Sequence, residues 1–229
     1  MTKFSTRLLS VLTVLVFMGS ALAAGSLNNP TISAALKQAL TLGTQRVATS
    51  LGQKGGFNLD PKIHIPLPTP LQKVDKALTM MGMGTLTDDL ETRINAAAEA
   101  SMPKAKELFV SAIKQMTITD AKTILSGPND SATQYLKKSM TPELTKAMQP
   151  IIQKSLADAG AIKSYDQVMG QYSQLPLVSG VKSNLTNYAV DKTIAGMFYY
   201  VAKEEAAIRA NPAQQTTSLL KTVFSSVTK

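Results

Sequence analysis

The chain has 229 residues, no cysteine, one histidine and a formal net charge of +9 at neutral pH. This composition excludes disulfides and the histidine and cysteine clusters typical of zinc sites, so we expect neither a metal nor another cofactor. The basic residues are dispersed and aromatic residues make up only 5% of the chain, which argues against nucleic acid as a partner.

The N-terminus has the pattern of a bacterial secretory signal peptide. Lys3 and Arg7 precede an apolar stretch that ends in the small-residue pattern A-x-A at 21–23. This stretch is short and closed by a cleavage pattern, which disfavours an uncleaved anchor. No later stretch reaches the ~20 apolar residues that a transmembrane helix needs. We therefore expect residues 1–23 to be removed, and the mature chain to be periplasmic and not transmembrane.

The mature chain begins with a predicted helix and an arm. Helical spacing of apolar residues starts at Asn29-Pro30, a cap followed by a helix-compatible proline, and Gly52 ends this helix. The next stretch, about 53–70, holds two glycines and four prolines, which exclude a helix. Its apolar residues alternate with His64 and prolines, so we predict an extended arm or at most an edge strand.

Helical patterns resume at Leu71 and are interrupted by the glycines of the motif GMG. Thr87 is predicted to cap the following helix, which we expect to end near Pro103. Another helix follows, and Thr119-Asp120 then begins a short one.

The stretch ILSGPNDSATQYLKK, residues 124–138, combines a glycine–proline break with polar side chains. Gly127 has the position of a left-handed helix C-terminus, Pro128 cannot continue a helix, and one of residues 129–131 would cap the next helix. The paired lysines at the end of the stretch are favourable beside the negative end of a helix dipole. We interpret the stretch as a boundary between two helices; the alternative is a ligand-binding loop.

The remainder of the chain is also helical in pattern. A helix is predicted to begin at Thr141, and a long one extends from about Thr186 to Asn211, before a last helix through 219–224. Strand patterns are confined to the arm. We therefore predict the all-α class: a compact single domain, residues 24–229, of about eight or nine short helices with one extended proline-rich arm.

The single histidine limits acid–base chemistry. His64 follows Asp60 by four residues, but no Gly-x-Ser-x-Gly motif accompanies them. A proline-rich arm is also a poor mount for a catalytic base, so we assign no catalytic residue. The residues that we consider candidates for ligand binding are Asp60, His64, Gly127, Asn129, Asp130 and Tyr135.

Two further clusters have structural interpretations. Met80, Met81 and Met83 could bind Cu(I) through their thioethers, but methionines at helix ends are more typical of adaptable core filling. The neighbouring carboxylates Glu204 and Glu205 point about 100° apart on a helix, so they do not form an acid–base pair. We interpret them as part of a solvated face.

Five stretches in order resemble a bacterial family of exported helical proteins, catalogued as domain of unknown function 4197. The stretches are ALKQALTLGTQRV, GGFNLDPKIHIPLP, INAAAEASMPKAKELFVSAIKQM, DAKTILSGPNDSATQYLKK and ANPAQQTTSLLKTVF. The resemblance extends from about Leu36 to Phe224. It implies an exported all-helical domain, and it implies no reaction and no catalytic residues.

These observations favour a non-enzymatic periplasmic protein that binds an apolar or lipid-like small molecule, or an envelope protein partner. The aliphatic helical core and an arm able to act as a flap motivate this hypothesis. The alternative is an enzyme of unknown class that uses carboxylates and hydroxyls near the arm, 57–70, and the loop 126–131. A third possibility is a structural role in contact with the cell wall or an acidic membrane.

Overall fold

The structure, a computed structural model, describes residues 29–172 and 184–211, and these residues form helices without any strand. The helices are α1 (Asn29–Leu51), α2 (Thr69–Met80), α3 (Thr85–Gln115), α4 (Ile118–Leu125), α5 (Ser131–Asp158), α6 (Ala161–Tyr172) and α7 (Leu185–Ala210). The predicted all-α class is therefore confirmed. Among the described helices, none is long and apolar enough to span a bilayer.

Four long helices build the centre of the fold. α3 packs on α1 and α5, and α7 packs on the same two helices, so the four surround one core. Phe109 of α3 and Phe198 of α7 meet in this core with their ring centroids 5.0 Å apart. The shorter α4 packs on α1 and α5, while α6 packs on α3 and α5. One continuous cluster of buried apolar side chains joins these elements.

Both ends of α1 and the C-terminal end of α7 agree with the sequence prediction, whereas the start of α7 is capped by Asn184 and not at the predicted Thr186. α1 ends at Leu51, directly before Gly52. The side chain of Asn184 accepts the backbone N–H of Asn187 at 3.0 Å, which caps the start of α7. α7 then ends at Ala210. The helix predicted through 219–224 lies outside the described residues.

Two predicted helix boundaries are wrong. Pro103 lies inside α3 and Pro142 lies inside α5, which also continues through Pro150. All three proline rings are exposed, whereas the turns on either side bury apolar side chains. Packing on both sides therefore outweighs the ~3 kcal/mol cost of a proline in a helix interior. Thr87, predicted as a cap, lies inside the first turns of α3 and its hydroxyl donates to the carbonyl of Gly84 at 2.7 Å.

The arm consists of residues 52–68, turns as far as residue 63 followed by an extended piece. It ends earlier than predicted because Pro70 fits the first turn of α2, which begins at Thr69. Four apolar side chains of the arm are buried in the core: Phe57, Ile63, Ile65 and Leu67. The arm is thus an internal packing element, held against α3 and α7.

Glycine at position 196 of α7 makes room for the arm. A Cβ added to Gly196 would lie 2.8 Å from Cε1 of Phe57 and 3.4 Å from Cβ of Ile63. The backbone of α7 therefore touches the Phe57 ring directly, and both groups are buried.

We predict that Gly196→Ala lowers the free energy of unfolding by about 1–2 kcal/mol, because overpacking exceeds the gain in helix propensity. Urea denaturation of the purified protein measures this change. Gly170→Ala is the matched control, because an added Cβ meets no atom within 4 Å there. The control should be stabilised by about 0.5–1 kcal/mol. If both variants gain stability, the result would contradict the close contact described between the α7 backbone and the Phe57 ring.

Candidate functional site

Side chains of α3 bind the backbone of the arm. Glu91, Asn95 and Glu99 are spaced four residues apart, which places them on one face of the helix. Glu99 is buried, and its Oε1 accepts the backbone N–H groups of Phe57 at 3.0 Å and Asn58 at 3.1 Å. The Glu99 carboxylate thus pairs two backbone N–H groups of the arm that would otherwise lack a hydrogen-bond partner.

The other two members of this row hold the extended piece. Asn95 is fully buried; its Oδ1 accepts the N–H of Ile65 at 2.9 Å and its Nδ2 donates to the Ile65 carbonyl at 2.8 Å. Oε2 of Glu91 accepts the N–H of Leu67 at 2.8 Å. We call Glu91, Asn95 and Glu99 the α3 ladder, since they replace the hydrogen bonds of a paired strand.

His64 belongs to the same arrangement. Its Nε2 lies 2.7 Å from Oε1 of Glu91, and its Nδ1 lies 2.9 Å from the carbonyl oxygen of Asn58. The side chain is half-buried. Both ring nitrogens face oxygen acceptors, so the imidazole ties the arm to α3 and offers no free nitrogen to a substrate.

Asp60 connects the arm to α7. Its carboxylate accepts a hydrogen bond from the hydroxyl of Tyr200 and another from the backbone N–H of Lys62, the latter at 2.8 Å. Partial burial acts to raise the pKa of Asp60, but these hydrogen bonds outweigh it and hold the pKa below its usual value. The same bond, together with partial burial, raises the pKa of Tyr200 to about 12. Both groups therefore stay in their ordinary charge states near neutral pH.

Glu205 of α7 caps the start of α5. It is 4% exposed, and its carboxylate accepts the N–H groups of Ala132 and Thr133, both at 2.8 Å, and the Thr133 hydroxyl at 2.8 Å. The interpretation of Glu205 as part of a solvated face is therefore wrong. The N–H groups that a helix start leaves unpaired attract a carboxylate from the neighbouring helix.

Arg209, one turn later, binds the end of α4. Its Nη2 donates to the carbonyl of Ile124 at 2.8 Å and its Nη1 to that of Leu125 at 3.3 Å. Nη2 also lies 2.9 Å from Oε1 of Glu205, in a nearly buried ion pair. We call this pair the Glu205–Arg209 clamp: its carboxylate caps one helix start and its guanidinium caps one helix end.

The loop candidates of the sequence analysis lie at this α4–α5 junction. The carboxylate of Asp130 accepts Nε2 of Gln134 at 2.9 Å and makes no capping bond. The hydroxyl of Tyr135 donates to Oδ2 of Asp120 at 2.8 Å, and Asn129 is exposed. No hydrogen bond within the described parts of the chain joins this set to the arm residues. The candidates thus form two groups.

Gly127 does not have the left-handed conformation that the sequence predicts. The glycines with positive φ in the described residues are Gly55, Gly82 and Gly160. A Cβ at Gly127 would instead collide with the side chain of Ser131. Glycine is needed there because the junction is tight, and the clamp, rather than the loop's own residues, caps the adjoining helix start.

The methionine cluster is placed differently from the prediction. Met80 is 83% exposed and Met81 is 54% exposed, whereas Met83 packs partly against the core. Gly82, with φ 74°, turns the chain between α2 and α3 and leaves the first two side chains in solvent. The interpretation as core filling therefore holds only for Met83. In the part of the chain that the structure describes, no group of three histidines or carboxylates is arranged to hold a metal.

An open cleft of about 450 Å³ lies between α1 and α7. Val47, Leu51 and Ala207 give it an apolar floor, and the first two are buried core residues. Its polar rim is formed by Arg46, Ser50, Tyr200, Lys203 and Glu204. The cleft cannot be predicted from the sequence pattern, because its two walls are far apart in the chain: Arg46 and Glu204 are separated by 158 residues.

The rim of the cleft carries charges. Nη2 of Arg46 lies 2.7 Å from Oε2 of Glu204. The ammonium of Lys203 lies 4.7 Å from the ring centroid of Tyr199 and 5.5 Å from that of Tyr200, in cation–π geometry. The cleft therefore joins an apolar floor to an ion pair and a lysine.

Comparison with known proteins supports the resemblance noted in the sequence. A family model described as "Protein of unknown function (DUF4197)" matches residues 26–225. No curated protein and no solved structure matches the chain.

We predict that Glu205→Ala lowers the free energy of unfolding by about 3–5 kcal/mol, because Arg209 and the N–H groups of α5 lose their buried partner. The adjacent Glu204→Ala removes a partly exposed ion pair and should cost no more than about 1 kcal/mol. Denaturant titration of both variants measures the difference. Equal losses would show that the clamp is not a buried cap.

We predict that Tyr200→Phe lowers the free energy of unfolding by about 1 kcal/mol at pH 7, after allowing for solvent exposure of the bond to Asp60. The folded pKa of Asp60 lies below its unfolded value. The bond's contribution is therefore present above pH ~4 and is lost as the pH falls through the folded pKa. Denaturation of wild type and variant between pH 7 and pH ~3 should show the two curves converging.

Tyr199→Phe is the control, since the Tyr199 hydroxyl makes no hydrogen bond within residues 29–172 and 184–211. It should change stability little at either pH. A Tyr200→Phe deficit that stays constant down to pH ~3 would contradict the link to Asp60 ionisation.

Proposed function

The chain belongs to the DUF4197 family, whose function is unknown, and we propose that it is a non-enzymatic binding protein of the bacterial envelope. A cleavable leader exports it to the periplasm, and its ligand is an apolar or lipid-like molecule held in the α1–α7 cleft. The observation that carries this proposal is the cleft itself, an open volume of about 450 Å³ with an apolar floor.

The size and lining of the cleft suit a small amphipathic molecule. Sites for small molecules typically enclose ~300–1,000 Å³ and are lined by apolar side chains with a few polar groups. Here Val47 and Leu51 provide aliphatic surface at the bottom, while Ser50 and Lys203 provide hydrogen-bond donors at the rim. An apolar chain in the cleft would cover the aliphatic surface that is still exposed there, which includes the partly exposed Ala207, and this burial is favourable.

The arm is a poor alternative location for such a ligand. Phe57 and Ile65 are fully buried, and the α3 ladder binds the arm's backbone at several points. Opening the arm as a flap would expose these side chains and break these hydrogen bonds. The arm's own side chains already occupy the apolar space that a ligand beneath it would need.

The arrangement of acidic and basic groups supports a binding role over catalysis. A catalytic site needs a nucleophile or base with a free position near its substrate. The polar atoms of His64, Asp60 and Glu205 instead make hydrogen bonds within the protein. An enzyme that combines the arm with the 126–131 loop would also need the two groups to converge. Chemical conversion of a bound ligand during incubation would support that alternative.

We predict that the full chain, expressed in a bacterium, is recovered from the periplasmic fraction beginning at Ala24 and with a lipid-like molecule bound. Amino-terminal sequencing and native mass spectrometry measure these two properties. Protein that carries no ligand, and shows no thermal shift with any single-chain lipid, would refute the binding role. Protein that stays in the cytosol with its leader would refute the location.

Ala207→Trp should abolish the bound ligand, because the indole fills the cleft floor. Ala195→Trp introduces the same ring on an exposed position of α7 and serves as the control. Circular dichroism should show both variants folded. If Ala207→Trp keeps its ligand, the ligand binds elsewhere.

A further inference from the structure

We infer that the α1–α7 cleft selects a single-chain amphiphile with an anionic headgroup, and that Lys203 binds that headgroup. This inference rests on the proposed binding function and names its ligand class. Phosphate and carboxylate headgroups share the required chemistry, which is a negative charge on oxygen atoms that accept hydrogen bonds. The occupant is therefore an anionic lipid with one chain, and not a free anion.

The charges of the described lining leave one cation without a partner ion. Glu204 neutralises Arg46 in an ion pair of 2.7 Å. Lys203 forms no ion pair among the described residues, and its ammonium faces aromatic rings. The neighbouring carboxylate of Asp60 feels the charge of Lys203, but it is already hydrogen-bonded to Tyr200 and to backbone. The ammonium thus has donors available for a headgroup.

The position of Lys203 is restricted before any ligand arrives. Its ammonium lies over both the Tyr199 and the Tyr200 ring, and these rings meet edge to face with centroids 5.1 Å apart. The hydroxyl of Tyr200 is bound in turn by Asp60. Holding a lysine in place reduces the side-chain entropy lost on binding, so its contribution to affinity increases.

The apolar and charged parts of the cleft occupy different places. Val47 and Leu51 are only 5% and 4% exposed, so they form the bottom of the cleft, whereas Lys203 is exposed at its edge. A chain on the floor would therefore extend to a headgroup at Lys203. An inorganic anion would lack the contact with the floor. A cationic amphiphile would be repelled by Lys203 and would find Glu204 already paired.

A series of amphiphiles with one chain and four headgroups tests the inference. We predict that dodecyl phosphate and dodecanoate bind roughly fivefold more tightly than dodecanol, the gain expected of one partly exposed ion pair. Dodecyltrimethylammonium should bind more weakly than dodecanol. Inorganic phosphate should not bind. Isothermal titration calorimetry of the mature protein, below the micelle concentration of each compound, measures these affinities.

Three variants assign the preference to Lys203. Lys203→Met keeps most of the side chain without its charge, so it should bind dodecanol normally and lose the preference for anions. Lys203→Arg should retain the preference. Lys192→Met is the matched control, since Lys192 also lies over a tyrosine of α7, Tyr188, at 5.5 Å, but is not part of the described cleft lining. It should behave as wild type.

The outcomes separate failure of this inference from failure of the proposed function. If dodecanol and the charged amphiphiles all fail to bind, the binding function and the headgroup selection are both wrong. If all four amphiphiles bind equally, the cleft binds chains but the inferred selection is overturned. If the anionic preference survives in Lys203→Met, another cation recognises the headgroup and the role of Lys203 is refuted.

Discussion

The fold depends on how the arm's backbone finds hydrogen-bond partners in the interior. Buried N–H and C=O groups must be paired, and a proline-rich segment cannot obtain this pairing from a regular strand ladder. The α3 ladder supplies the partners from side chains, each separated from the next by about one helical turn. With its backbone satisfied, the arm can bury Phe57 against Gly196 of α7. The arm therefore packs against both α3 and α7 and contributes to the core.

The Glu205–Arg209 clamp solves the same problem at the α4–α5 junction. A helix end and a helix start meet there, with unpaired carbonyls on one side and unpaired N–H groups on the other. Arg209 of α7 donates to the carbonyls at the end of α4, and Glu205 accepts the N–H groups at the start of α5. The two side chains also form an ion pair with each other. The buried carboxylates of residues 29–172 and 184–211, Glu99 and Glu205, thus hold backbone N–H groups in place. The cleft between α1 and α7, in contrast, has its charged groups at the solvent, and we propose it as the binding surface.

The sequence predicts the local features of this fold well and its long-range polar contacts poorly. Asn29 and Gly52 mark the two ends of α1 in the sequence because capping and glycine geometry act over three or four residues. The helix boundary predicted at Pro103 was wrong because α3 is stabilised on both sides of this proline by packing against helices distant in the sequence. Glu205 looks like any surface glutamate in the sequence, since the N–H groups of α5 that it binds lie more than 70 residues away. The cleft could not be predicted from the sequence either, because its floor residues have the pattern of a core and its rim residues have that of a charged, solvent-exposed surface.

Tyr200 connects the arm to the cleft that we propose as a binding site. Its hydroxyl is bound by Asp60 of the arm, while its ring forms a wall of the cleft and supports Lys203. The arm is fixed by α3, so the α3 ladder indirectly fixes the position of that wall. A binding surface gains affinity when its groups are held in place before the ligand arrives. The arm therefore contributes to the cleft as a support, and its rigidity, rather than a flap-like motion, is the property that a binding role requires.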